Sequence, residues 1–326
     1  MDRERSAAAV SVVIPALNEE RVLGRCLEAL AAQDFPRGEL EVVVVDNGST
    51  DRTVEIARSF SSALRLTVLE RPGLKISAMR NAGVAGSSGG IVAFLDADCV
   101  APPRWLKTAL ELLAKERPGV LGAHYRIPES SSWVARAWYG GLERDKQGDL
   151  AWVPAGDMIM TRAAFEAVGG FDESIQTSED CELCERVRAR GLRVLGDASV
   201  AVEHLGTPQT LGQFYRKTRW HATDGLRVFL RSLPKLTNPR PLLLVLYTLV
   251  CAAGLPAAAA WAAWTADPRP AAWFAAAWLL PAILLSARAA WTRGLWAELG
   301  GLVVLHLAFG LARAHALLKA SGSVRR

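Results

Sequence analysis

Apolar residues come first in short runs. Val10–Ile14 is one, closed by Pro15, and predicts a buried strand. Val22, Leu23, Cys26, Leu27 and Leu30 then recur at helical spacing, which predicts a helix capped by Asn18 with Glu19 and Glu20 in its first turn. Glu41–Val45 holds four consecutive valines, so this strand needs cover on both faces, as in a parallel sheet. The polar turn Asp46–Asp51 opens a helix to about Phe60, and Leu64–Leu69 is a third strand. Ile76–Val84 predicts a helix, Ile91–Leu95 a fourth strand ending at Asp96-Ala97-Asp98, and Pro102-Pro103 the start of a helix through Glu116. Strands and helices alternate at the spacing of right-handed βαβ units. The acidic turns follow strand C-termini, where open α/β sheets bind ligands.

From Gly119 to Val202 the pattern loosens. Strands are predicted near Val120–Arg126, Met158–Met160 and Val200–Glu203, with a helix over Ser178–Arg190 and a polar loop around Asp145–Leu150. From Gln209 to Leu233 an apolar stripe (Leu211, Phe214, Tyr215, Thr218, Ala222, Leu226, Phe229, Leu230, Leu233) is interleaved with Arg216, Lys217, Arg219, Arg227 and Arg231. A basic amphipathic helix ahead of apolar segments reads as a membrane-interface helix, with a surface helix packed on a domain as the alternative; the two are compatible. Leu242–Trp264 has no charged residue over 23 positions, long enough to span a bilayer. Ala271–Ala287, with Pro281 inside, is a second candidate; Gly300–Ala312 is weaker, flanked by Glu298, Arg313 and His315 and containing His306. Two or three crossings are therefore expected. Trp261, Trp264, Trp273, Trp278, Trp291 and Trp296 mostly fall near segment ends, as in an aromatic belt.

Composition sharpens this division. The 326 residues are 51% hydrophobic and 22% charged, with mean hydropathy +0.16. From Pro241 onward there are 7 Lys and Arg against 2 Asp and Glu, so the net charge of +5 belongs to the apolar tail. A balanced front part gives no support to nucleic-acid binding. Five scattered Cys make no disulfide scaffold, and Cys181 and Cys184, a lone Cys-x-x-Cys, are expected to pack rather than bind zinc. The charged N-terminal residues are unlike a secretory leader, so the front part is expected in the cytosol.

Asp96 and Asp98, leaving the fourth strand two residues apart, can reach one hard cation, Mn²⁺ or Mg²⁺, which would bridge to diphosphate oxygens. Asp46, at the end of the valine strand, is placed to accept hydrogen bonds from a base or ribose, whereas Ser49, Thr50 and Asp51 suit helix capping. Lys75 and Arg80 can reach anionic ligand groups, and a plain surface role fits either equally well. Ser178 ahead of Glu179 and Asp180 is explained by capping alone; the functional alternative makes Asp180 a general base. His204 reads either as a ligand to the metal or diphosphate or as a buried hydrogen-bonded histidine.

Six segments in order carry a resemblance: Val12–Glu20, Val44–Asp51, Ala78–Gly83, Asp96-Ala97-Asp98, Gly169-Gly170-Phe171-Asp172 and Glu179-Asp180. Together, across about residues 10–220, they resemble glycosyltransferase family 2, whose GT-A fold is a doubly wound mixed α/β sheet. The resemblance implies a nucleotide-diphospho-sugar donor (UDP- or GDP-sugar), a divalent cation and inversion at the sugar C1. It also implies that Pro15, Asn18, Glu19, Asp46 and Arg80, with Lys75, line the donor pocket. By the same carry-over Asp98 holds the metal and Asp96 lies toward the sugar. Asp180, beside Glu179, becomes the base, and Gly156, Asp157, Arg219 and Trp220 fall in the acceptor and diphosphate region. Processive membrane-bound members carry Gln-x-x-Arg-Trp; here the register reads Arg216-Lys217-Thr218-Arg219-Trp220, which argues for adding one or a few sugars.

The expected organisation is a catalytic domain over 1–205 (nucleotide-sugar half 10–100, acceptor half 101–205), amphipathic helices over 206–240 and a membrane region over 241–326. The acceptor is expected to be a lipid or envelope glycan at the inner (plasma) membrane, with the catalytic domain cytoplasmic. A polyprenyl-phosphate glycosyltransferase and a non-catalytic nucleotide-sugar-binding membrane subunit are the alternatives.

Overall fold

The computed structural model describes residues 9–175, 177–222 and 240–323. The chain forms two compact units, one made of the chain up to Pro128 together with Gly141–Thr207, the other of Glu129–Gly140 together with everything from Pro208.

The first unit is a mixed α/β structure. Its parallel half follows the valine runs: β1 (Val10–Ala16), β2 (Leu40–Asp46), β3 (Arg65–Glu70) and β4 (Ile91–Leu95) lie in the order β3-β2-β1-β4. The register pairs Val12 with Val42 and Ala93. Helices α1 (Leu23–Ala31), α2 (Thr53–Ser59) and α3 (Ile76–Ala85) make the crossovers, and α4 (Trp105–Glu116) follows β4. Side chains alternate faces along a strand, so neighbouring valines enter different cores. Val12, Ile14, Val42 and Val44 pack with Leu23, Leu27 and Trp105; Val13, Val43 and Val45 pack with Met79, Phe94 and Phe171. This is the two-faced burial that the four-valine run demands.

Gly83 on α3 permits close approach to the sheet, because a methyl group there would overlap Val13 and crowd Val45. Gly83→Ala is therefore expected to cost about 1–3 kcal/mol by overpacking, read as a lower melting temperature.

Beyond β4 the sheet becomes mixed. β5 (Cys99–Val100) leaves it, while β6 (Val120–Gly122), β7 (Gly148–Asp149), β8 (Asp157–Thr161) and β9 (Val194–Gly196) complete the order β4-β8-β6-β9-β7. Antiparallel pairs lie on both sides of β8, and β6 and β9 pair in parallel. β8 runs antiparallel to β4, and this pairing holds the Asp96 turn beside Gly156, whose carbonyl accepts from the Asp96 N–H. β10 (Glu203–His204) pairs with β5 in a separate two-stranded sheet. The strand expected over 120–126 is thus only three residues long. Much of the stretch expected as strand at 200–203 is irregular, with a 3-10 turn at Ala198–Val200 ahead of β10. The polar loop at 145–150 contains a short helix end and β7.

Two expected caps are absent. Asn18 adopts φ 56° and its Oδ1 accepts from Thr50 N–H and Oγ1, so it ties two loops together while α1 begins at Leu23. Ser178 has φ 66° and makes no side-chain cap to the following helix, Glu179–Ala189.

In the second unit, two short helices, Trp133–Tyr139 and Leu211–His221, share a core with the tail. Val134, Ala137 and Phe214 pack with Ala290, Leu302 and Leu305, and Trp138 stacks edge-on to Phe214. Arg136 Nε donates to Glu298, and Arg293 Nη1 donates to the Trp138 carbonyl. Gln213 and Thr210 close a reciprocal capping box at the start of the second short helix. The rest of the predicted amphipathic stripe (Leu226, Arg227, Phe229, Leu230, Arg231, Leu233) lies outside the described residues.

Three long helices follow, Arg240–Thr265, Arg269–Arg293 and Leu299–Ser323. All three are long and apolar enough to cross a membrane, and they fit membrane association. Trp264, Trp273 and Trp291 are exposed at segment ends.

Candidate active site

The site grows from the C-terminal ends of the strands of the first unit. There strand amides lose their ladder partners, and turns must satisfy them. Asp46 does this at the end of β2: its carboxylate is buried and accepts from Gly48 N–H, Ser49 N–H and Ser49 Oγ. Much of the acceptor capacity expected to meet a base or ribose is therefore taken up inside its own turn. Asp51 serves the start of α2, accepting from Thr53 N–H at 3.0 Å and from Glu20 N–H.

Arg80 organises the centre. Its guanidinium is only 3% exposed and reaches in two directions, Nη2 to Asp96 Oδ1 at 2.9 Å and Nη1 to Glu179 Oε1 at 2.6 Å. Burial alone would lower its pKa, but Asp96 and Glu179 outweigh that cost and raise it. One face of the group lies over the Phe171 ring at 5.6 Å from its centroid. Asn81, one residue on, donates from Nδ2 to the Phe171 carbonyl and accepts the Phe171 N–H at Oδ1. The Ala78–Gly83 and Gly169–Asp172 segments, 90 residues apart, thus form one support beneath the acids.

Around this support the carboxylates converge. Asp180, next to Glu179 in the first turn of the helix Glu179–Ala189, has its pKa raised to about 7 by burial and then by Glu179, with Arg80 opposing. Glu19, in the loop after β1, is likewise raised to about 7, first by burial and then by Asp98 and Asp96. Tyr125, which carried no local signal in the sequence, places its hydroxyl 3.4 Å from Asp96 Oδ2 and its ring against His204. Only the fold reveals it, because β6 and β10 bring it there from distant parts of the chain. Two glycines make room. A methyl group on Gly156 would overlap the Asp96 carboxylate and the Tyr125 hydroxyl, and one on Gly206 would overlap the Asp98 carboxylate.

The donor set fits a divalent cation. Asp98 is partly open to solvent, His204 Nε2 lies 3.7 Å from its Oδ2, and Asp96 stands two residues before it. Carboxylate oxygens with an imidazole suit Mn²⁺, and the oxygens suit Mg²⁺. The glycine at 206 lets the Asp98 carboxylate lie close to the backbone beside His204, where a side chain would displace it.

Other expected residues lie differently. Asp157, expected in the acceptor region, is fully buried: it accepts from Trp105 Nε1 at 3.1 Å and Val202 N–H at 3.3 Å, and burial raises its pKa well above the usual carboxylate range. It is a core acid that joins α4 to the strand layer. Lys75 donates from Nζ to the Ser174 carbonyl at 2.8 Å. Pro15 is buried within β1. Arg219 and Trp220 belong to the second unit, where Trp220 is exposed. Cys184 is buried and Cys181 partly so, and both are free thiols.

Among known proteins, residues 11–168 match the family described as Glycosyl transferase family 2, and residues 153–319 match Glycosyl transferase family 21. Glycosyltransferase AglE of Haloferax volcanii is 42% identical over 132 residues, 40% of this chain and 43% of that protein. The beta-monoglucosyldiacylglycerol synthase of Synechocystis sp. is 28% identical over 225 residues, 65% of this chain and 47% of that one. The mannosyltransferase PcManGT from Pyrobaculum calidifontis, solved with GDP-Man and Mn²⁺, shares the fold: TM-score 0.61 at 21% identity, covering 94% of this chain and 87% of its own. The chain spans about half the length of the curated relatives it matches.

Proposed function

On the footing that the chain belongs to the glycosyl transferases, matching family 2 in its first half and family 21 from residue 153, we propose that it is a metal-dependent, inverting glycosyltransferase held at a membrane. It moves a sugar from a UDP- or GDP-sugar to a hydroxyl acceptor, a lipid or envelope glycan, without processive extension. The observation that carries this reading is the convergence on Arg80, which ties Asp96, at a strand end, to Glu179 beside Asp180. Proteins similar to this chain include one named for making a glycolipid and one bound to GDP-Man with Mn²⁺.

Each side chain then has a role. Asp98, with His204 and Asp96, would hold the cation, which when bound would supply positive charge against the leaving diphosphate. Glu19, Asp46 and Arg80 shape the donor side. Asp180 takes the proton of the acceptor hydroxyl as that oxygen attacks C1 from the face opposite the diphosphate. No covalent sugar–enzyme intermediate is required. The three apolar helices hold the chain at a membrane, where an amphiphilic acceptor is concentrated. The catalytic unit faces the cytoplasm of the inner membrane, where nucleotide sugars are made.

The test is to incubate the purified full chain in detergent with UDP- and GDP-sugars and Mn²⁺ or Mg²⁺, with and without lipid extract, and to measure product mass and anomeric configuration. Transfer that persists in excess chelator, or a product that retains the donor's configuration, refutes the respective part. Gly206→Ala, which presses on Asp98, is expected to weaken Mn²⁺ binding by about tenfold or more, measured by titration of the folded protein.

A further inference from the structure

β5 and β10 pair antiparallel so that Cys99 stands directly opposite His204, one residue after Asp98. The ligand atoms of these three residues all lie within 4.8 Å of one another. The Cys99 Sγ is 3.8 Å from Asp98 Oδ1, and His204 Nε2 is 3.7 Å from Asp98 Oδ2. With metal–sulfur and metal–nitrogen distances of about 2.3 and 2.1 Å, the edges of a tetrahedron around zinc are about 3.5 Å. The sulfur and the imidazole nitrogen meet different oxygens of the Asp98 carboxylate, and the three ligand atoms lie within 4.8 Å, so the set closes on such an ion by contracting about an ångström. Gly206 lets the Asp98 carboxylate pack against the backbone beside His204, and the partly exposed Asp98 gives an entry path.

We propose that Asp98, Cys99 and His204 form a soft-metal site that takes Zn²⁺, Co²⁺ or Cd²⁺ through sulfur, nitrogen and oxygen, with the fourth position left for water. A thiolate adds nothing for Mg²⁺ but favours these ions strongly. Binding transfers the Cys99 thiol proton to solvent and forms the metal–sulfur bond. The chain therefore carries a built-in discriminator: Zn²⁺ gains a ligand that Mg²⁺ cannot use. Because Asp98 and His204 are shared, Zn²⁺ occupancy excludes the ion that supports sugar transfer; this last clause rests on the proposed function, whereas the site itself does not.

The experiment titrates the full chain in detergent with Co²⁺ and follows the near-ultraviolet thiolate-to-cobalt charge-transfer band, with Zn²⁺ added in competition. The wild-type chain shows the band, and Zn²⁺ bleaches it. Cys99→Ser loses the band and binds Zn²⁺ at least about tenfold more weakly, while Cys26→Ser keeps it. His204→Gln keeps the band but lowers the Co²⁺ affinity, an arm that stands if Cys99→Ser fails to fold. No band in the wild-type chain at saturating Co²⁺, an unchanged band in Cys99→Ser, or unchanged affinity in His204→Gln overturns the proposal. None of these readouts involves a sugar, so they remain decisive if sugar transfer is never observed.

Discussion

Replacing Asp180 with Asn is expected to cut transfer to a hydroxyl acceptor by about 10²- to 10⁴-fold, the range a positioned general base supplies. The substitution is nearly isosteric, and Oδ1 can still accept the Cys181 N–H that it meets at 2.7 Å. Donor affinity and the melting curve should therefore hold while turnover falls. The pH profile provides an independent check. Burial and Glu179 raise Asp180 to about 7, so below that pH it is protonated and cannot accept a proton. Wild-type kcat/KM for the acceptor should climb through pH 7 and level off above it, and the Asn variant should lack that ascending limb. A phosphate acceptor arrives already ionised and needs no base. A loss of less than about tenfold would accordingly favour polyprenyl-phosphate as acceptor, and an unchanged profile would remove Asp180 from the reaction.

What could be read from the sequence depended on how local the cause was. The strands β1 to β4 were legible because burial on two faces leaves a run such as Val42–Val45 no alternative. Asp96 and Asp98 were legible because they follow such a strand directly. Helix starts were less so. Asn18 and Ser178 have the right side chains for caps, yet both take positive φ, and long-range demands decide their use: Asn18 is claimed by Thr50, 32 residues away. Asp157 looked like a site residue, but Trp105 and the backbone near 202 draw its carboxyl into the core.

The helix Trp133–Tyr139 was invisible for a similar reason. It is seven residues long, and its apolar partners, Phe214 and Leu302, lie far along the chain. Tyr125 gained its place beside Asp96 only through sheet closure. The tail was legible as apolar helices, because length and lack of charge suffice for that, whereas a polar contact such as Ser286 Oγ with His306 Nδ1 at 2.9 Å emerges only from packing.

The Arg80 clamp bears the largest expected effect on stability. Arg80→Ala removes the shared partner of Asp96 and Glu179 and leaves two acids, with Asp180 close by, facing one another in a site of restricted solvent. Breaking one side of a buried ion pair costs about 3–5 kcal/mol. For a unit of this size that corresponds to a fall of roughly 10 °C in melting temperature. Arg80→Lys should recover little, because one ammonium cannot span the two directions that Nη1 and Nη2 cover. If uncompensated charge is the cause, adding Glu179→Gln to Arg80→Ala should restore part of the loss, so that the double variant falls short of the summed single effects by about 1–3 kcal/mol. Strict additivity would instead assign the loss to the packing of Arg80 over Phe171. Turnover separates the two further: an electrostatic support must shift the pH limb of Asp180 upward when Arg80 is removed, since Arg80 is the charge that opposes its protonation. A packing role would leave that limb where it was.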